Sequence, residues 1–259
     1  MRRVLPLVLL AFSPVLVACS SSPKSAGPDA PASSDAATAD TVADSATGDA
    51  AGSAGSGFGV LSGMCGVLAV GDLTSASPEV VRDTFTFARE YMDPADRPLL
   101  TAGGQRLAAT PNAGGSSGLS EVFAYEQLAR CEGADLLHTE TEIMYDGTGK
   151  ITDMEVAIDG HKIGVSVTRA QTYPLGQTYP LDTETMLISR KLTDIQASSA
   201  HVSAADKWDK QILSVLAYDG PTADTVVQAW QGLDAATKAD TIVVVTQTDG
   251  TDTFIYTNN

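Results

Sequence analysis

The chain has 259 residues, and its 32 Asp and Glu outnumber 16 Lys and Arg, for a formal charge of −16. A protein this acidic lacks the basic footprint that neutralises phosphates, so nucleic acid is not an expected partner. With three cysteines in all, it is also not a disulfide-dense small scaffold, and its stability must rest on a hydrophobic core.

Arg2 and Arg3 precede an apolar run over residues 4–17 that is interrupted by Pro14 and too short for a comfortable membrane span. It reads as an export signal. Leu16-Val17-Ala18-Cys19, followed by three serines, resembles the lipobox of bacterial lipoproteins. The resemblance implies that residues 1–18 are a signal peptide removed before Cys19, and that palmitate-class acyl chains modify the Cys19 thiol and its new amino group. More than one chain is what stable anchoring requires. An ordinary cleaved signal with an incidental cysteine is the alternative. Ser20, where an acid could stand, is similar to lipoproteins passed on to an outer membrane. The expected location is therefore the cell envelope. The expected partners are the membrane, through lipid on Cys19, and an unidentified envelope protein. Cleavage removes two arginines and no acid, which takes the charge from −16 to −18.

Residues 19–57 are almost entirely Ser, Ala, Gly, Asp, Thr and Pro, with no aromatic residue until Phe58. Such a segment cannot bury enough apolar surface to offset its ordering entropy, and it reads as a disordered tether. One α/β domain is expected over 58–259, with 58–119 as an N-terminal extension and 120–259 as its core. If the compartment is oxidising, Cys65 and Cys131 are the expected disulfide, two buried thiols being the alternative.

Within the extension, Gly66-Val67-Leu68-Ala69-Val70 is a short apolar run. Ser77-Pro78-Glu79 offers a helix cap, a proline at the first helical position and an early acid, and Val81, Phe85, Ala88 and Met92 follow at helical spacing. Residues 102–118 read as a glycine-rich loop. Gly114-Gly115-Ser116-Ser117-Gly118 matches the GxSxG nucleophile pattern literally, but the buried strand that elbow needs is missing before it.

A helix is expected from Ser120 to about Cys131, then a strand over 139–145 and a turn at Asp146-Gly147. The best-defined stretch is 151–170. Two runs of period-two alternation flank Asp159-Gly160, a pair suited to a two-residue turn with positive φ at both centres. That turn sets Asp153 opposite Ser166. One face then carries Met154, Val156, Ile158, Ile163, Val165 and Val167, and the other Asp153, Glu155, Lys162, Ser166 and Thr168. Asp182 opens a helix bearing Ile188, Leu192 and Ile195. Residues 211–218 read as a strand buried on both faces, Thr222 or Asp224 opens a further helix, and 241–246 is a second buried strand, with 252–256 as a last one. Strand, helix, strand implies a parallel crossover.

The order from Ser120, helix, three-strand antiparallel meander, helix, strand, helix, strand with helices on both faces, resembles the restriction-endonuclease-like, PD-(D/E)xK, superfamily core. The resemblance implies a mixed α/β sheet with a divalent cation, Mg2+ or Mn2+, held by carboxylates on the meander. Asp153 corresponds to the first acid and Glu121 to a helix glutamate. The acid-x-lysine motif falls on Ser166 and Thr168, which supply neither the charge nor the amine. Glu142 and Glu155 are the remaining carboxylates that could serve as ligands, and Lys191 on the following helix is the substitute cation.

The missing motif favours a non-catalytic, degenerate interaction module that needs no cofactor, with the acids forming a polar sheet face. The alternative is a metal-dependent phosphodiesterase with a rearranged site, Asp153, Glu121 and Lys191 acting as its catalytic set. His138, His161 and His201 show no metal-ligand spacing. Lys210 and Gln211, in a Trp208-Asp209-Lys210-Gln211 segment similar to one in uncharacterised proteins with this core, could reach the same site or cap a strand end.

Overall fold

The turn at Asp159-Gly160 forms as its chemistry dictates, both residues taking positive φ of 48° and 81°. Ile158 faces His161 across it and Met154 faces Val165, where the ladder ends one pair short of the expected Asp153–Ser166 pairing. The computed structural model describes residues 57–111 and 118–257. In chain order its elements are β1 (Val60–Gly63), α1 (Val70–Thr74), β2 (Glu79–Phe87), α2 (Ala102–Ala109), α3 (Gly118–Cys131), β3 (Asp135–Thr139), β4 (Met154–Ile158) and β5 (His161–Ala170). They continue with α4 (Leu181–His201), β6 (Lys210–Ala217), α5 (Gly220–Gly232), α6 (Ala235–Lys238) and β7 (Ile242–Gly250). The expected signal peptide, Cys19 and the expected tether up to residue 56 lie outside the described residues.

The fold is mixed α/β. Seven strands make one sheet in the order β1-β2-β7-β6-β5-β4-β3. β2, β7, β6 and β5 run parallel, while β1, β4 and β3 pair antiparallel with their neighbours.

Helices cover both faces, as the hydrophobic pattern of the strands requires. On one face Val122, Phe123 and Leu128 of α3 share a core with Met154, Val156, Ile163 and Val165. Phe123 meets Phe87 edge-on at 5.2 Å between ring centroids. On the other face Ile188 and Leu192 of α4 and Val226 of α5 pack on Leu213, Val215, Val243 and Val245. β6 and β7 are therefore apolar almost without a break, since neither side meets water. No helix among the described residues is long and apolar enough to cross a membrane.

The extension differs most from expectation. Residues 79–87 are a strand, with Val81, Asp83, Phe85 and Phe87 inward, and they join the sheet parallel to β7. Val81 and Phe85 are four apart, a spacing that puts two residues on one side of a helix and equally of a strand. Residues 66–69 join no strand; the Gly66 and Leu68 amides donate to the Glu132 carboxylate, each at 3.0 Å, and Val70 begins α1. Residues 102–109 form a helix capped by Thr101, whose hydroxyl accepts from the Gly104 amide at 3.2 Å. Its glycines reflect close packing, because a Cβ on Gly103 would stand 2.1 Å from the Tyr125 hydroxyl. The strand expected at 139–145 is shifted to 135–139, and Tyr145 makes only an isolated bridge to Val202. Pro180, not Asp182, stands at the N-cap of α4. The last expected strand is a single 3-10 turn, Thr253–Ile255.

Cys65 and Cys131 are bonded, tying the segment after β1 to the end of α3 with 4.6 Å between Cα atoms. Closing a loop of 66 residues stabilises by roughly 4 kcal/mol on the chain-entropy model. The double variant Cys65→Ser, Cys131→Ser should lose about that much in urea unfolding, and reductant should destabilise the parent chain but not the variant.

Candidate functional site

β4 begins only at Met154, so β5 beyond Val165 has no ladder partner on that side. Asp153 compensates with its side chain, Oδ2 accepting from the Val167 amide at 2.6 Å. Around this uncovered part of β5 lies a cleft of about 170 Å3, lined by Ser120 and Glu121 from the first turn of α3, by Asp153, by Thr168 and Arg169, and by Lys191 from α4. Three residues expected to act together, Glu121, Asp153 and Lys191, thus share one concave site although they come from three elements.

The electrostatics follow from that crowding. Asp153 is pushed up to about 7, chiefly because the surrounding protein desolvates it and next because Glu121 carries like charge; the Val167 amide and Lys191 work the other way. Glu121 is nearly buried at 7% exposure. The carboxylates of Glu121 and Asp153 and the hydroxyls of Ser120 and Thr168 line this cleft together with the cationic Arg169 and Lys191, and those oxygens are donors of the kind a hard divalent cation takes. The residues present therefore fit Mg2+ or Mn2+.

The other expected ligands lie elsewhere. Glu142 accepts from the Thr139 amide at 2.8 Å and pairs with Arg106 at 2.5 Å. Those bonds hold it down to about 2. Glu155, fully buried, contacts His138 Nδ1 at 2.6 Å and Lys162 Nζ at 3.0 Å. Asp206 also approaches His138, at 4.0 Å. This grouping has no counterpart in the linear spacing of the histidines, because its members come from β3, β4 and the segment before β6.

Lys210 and Gln211 do not line the cleft. Lys210 is buried and donates to the Ser75 and Ser77 carbonyls at 2.5 and 3.2 Å, while Gln211 donates to Asp240 at 2.5 Å. Trp208 lies flat on Gly164, where a Cβ would come within 2.5 Å of the indole. Lys210 and Gln211 thus anchor the start of the central strand β6. In the glycine-serine stretch, residues 114–117 lie outside the described residues.

No family model matches the chain, and no solved structure matches it. Over 153 residues, 57% of the chain, it is 42% identical to the AAC-rich mRNA clone AAC4 protein of Dictyostelium discoideum. The chain spans 22% of that protein's length, and the name carries no activity.

Among the described residues, Asp153 is one of three acids held near 7. Asp83, almost wholly buried, is raised to about 7 by desolvation despite hydrogen bonds from Thr246 and Gln127, and Glu184 reaches about 7 for the same first cause. The folded state keeps protons that the unfolded chain releases near pH 4, so these groups favour folding fully below that pH, and the benefit disappears as pH rises through 7. The urea midpoint should therefore fall between pH 5 and pH 8. Asp83→Asn, which keeps an acceptor for Gln127 without the charge, should flatten that fall and raise stability at pH 8 by on the order of 2 kcal/mol.

Proposed function

We propose that the chain is an exported, lipid-anchored envelope protein whose domain has restriction-endonuclease-like topology and hydrolyses small phosphodiesters with a divalent cation. The observation that carries this reading is the convergence of Glu121, Asp153 and Lys191 in one cleft. The sheet order supports the topology, since β3 to β7 lie side by side in sequence order, with helices before β3 and between the parallel strands. The Cys65–Cys131 bond supports an oxidising compartment, and the Leu16 to Cys19 motif supports anchoring through lipid, in the outer membrane by the serine at position 20.

Asp153 and Glu121 are the residues that would hold the cation, which when bound supplies Lewis acidity and lowers the pKa of water. Lys191 offsets charge on the phosphate as it develops, the part played by the lysine absent at position 168. Thr168 contributes a hydroxyl to the wall facing the phosphate. A cleft of about 170 Å3 admits a phosphodiester group but not a duplex, and a formal charge of −16 repels polyanions, so the substrate is a small phosphodiester of low charge.

A second reading, a non-catalytic interaction module of the same topology, is favoured by Ser166 and Thr168 standing where an acid and a lysine belong. Mn2+ calorimetry on the full chain, with bis(4-nitrophenyl) phosphate as reporter, separates the two. The enzyme reading expects Mn2+ binding and turnover, both lost in Asp153→Asn. It also expects Lys191→Met to lower kcat about a hundredfold at nearly unchanged Mn2+ affinity. Absence of Asp153-dependent binding would leave the interaction module.

A further inference from the structure

We propose that His138, Glu155 and Asp206 form a second cation site, distinct from the Asp153 cleft, that takes a zinc-type transition ion. Each offers one ligand atom, and these atoms lie within 4.8 Å of one another. Two independent features of the fold build the group.

The first is a β-bulge. β3 and β4 pair Leu136 with Val156 but His138 with Glu155, so Leu137 is an extra residue in the ladder. Without it, Leu137 would oppose Glu155 and His138 would turn to the other side. Bulges re-aim side chains in this way, and here the result is an imidazole against a carboxylate. The second feature is the carboxylate itself. Glu155 is wholly buried, and its Oε1 has no hydrogen-bond partner. Lys162 Nζ stands 3.0 Å from that oxygen. The two observations are compatible: the ammonium, which donates to the Ala205 carbonyl at 3.1 Å, supplies charge without aligned hydrogen-bond geometry. The pocket around Glu155 requires positive charge, and Lys162 provides it from a half-buried position.

The distances suit the ion. His138 Nδ1 lies 2.6 Å from Glu155 Oε2 and 4.0 Å from Asp206 Oδ1. Tetrahedral zinc with nitrogen and oxygen ligands separates neighbouring donors by about 3.3 Å, between those two values, so small side-chain shifts complete the geometry. Asp206 is already oriented, its Oδ2 accepting from the Met144 amide at 2.7 Å. His138 is about a third exposed, which gives the ion a path from solvent and leaves room for a water as fourth ligand. Donor softness separates the two sites. An imidazole with two carboxylates prefers Zn2+ or Co2+, whereas the oxygen-only cleft prefers Mg2+ or Mn2+. The ion would join β3, β4 and the segment leading into β6.

Co2+ absorption and Zn2+ calorimetry on the full chain test this. One equivalent should bind with the intense visible bands of tetrahedral cobalt, and saturating Zn2+ should raise the unfolding temperature. His138→Gln should weaken binding roughly a hundredfold and abolish the thermal shift, and Glu155→Gln, nearly isosteric, should do the same. His161→Gln and Asp153→Asn should leave Zn2+ affinity unchanged. Lack of stoichiometric binding, or Zn2+ affinity in His138→Gln and Glu155→Gln unchanged from that of the parent chain, would overturn the site. Mn2+ binding at Asp153 should persist in His138→Gln, so failure of either site is read separately from the other.

Discussion

The two-residue turn at Asp159-Gly160 is the constraint on which the rest depends. Side chains alternate along a strand, so a slip of one residue would send Val156 and Val165 to the polar side and Glu155 into the core under α3. Positive φ at both turn residues excludes that slip locally. With the register held, α3 seals the apolar face, and Glu155 of β4 lies on the opposite side of the sheet from that core. The cleft and the histidine cluster both follow from that division.

Asp153 and Glu155 are two residues apart, one just before β4 and one within it, yet they occupy opposite electrostatic settings. Asp153 stands where β4 has not begun, near another carboxylate, and is driven toward its neutral form. Glu155 is deeper, with an imidazole and an ammonium against it. The difference arises from what neighbouring segments deliver. An acid comes from α3 on one side, and His138 and Lys162 come from the flanking strands on the other. Two carboxylates two residues apart thus end in different settings, one desolvated beside another acid and one compensated by an imidazole and an ammonium.

Much of the framework could be read locally. The hairpin register, the inward set from Met154 to Val167, the helix over 118–131 and the buried strands β6 and β7 depend on periodicity and turn chemistry within a few residues. β2 was not legible in this way. Its partner β7 lies some 160 positions later, and the repeat at Val81 and Phe85 serves helix and strand alike. The glycines of α2 likewise read as loop until Tyr125 and Glu126 are seen against them. In the site, Glu121, Asp153 and Lys191 could be nominated from topology. His138 could not, because the bulge at Leu137 that turns it toward Glu155 leaves no mark in spacing.

By itself the sequence determined those features set by neighbours along the chain: the turn, the faces of its strands, the helix boundaries near residue 120, and the acidic balance that disfavours polyanions. Tertiary structure alone decided which carboxylates meet. Glu142 went to Arg106 and Glu155 to His138, while Glu121 came to Asp153. The reason is physical. Pairing between distant segments is chosen by the packing of whole layers, and the charges on those layers take whatever partners that packing brings within reach.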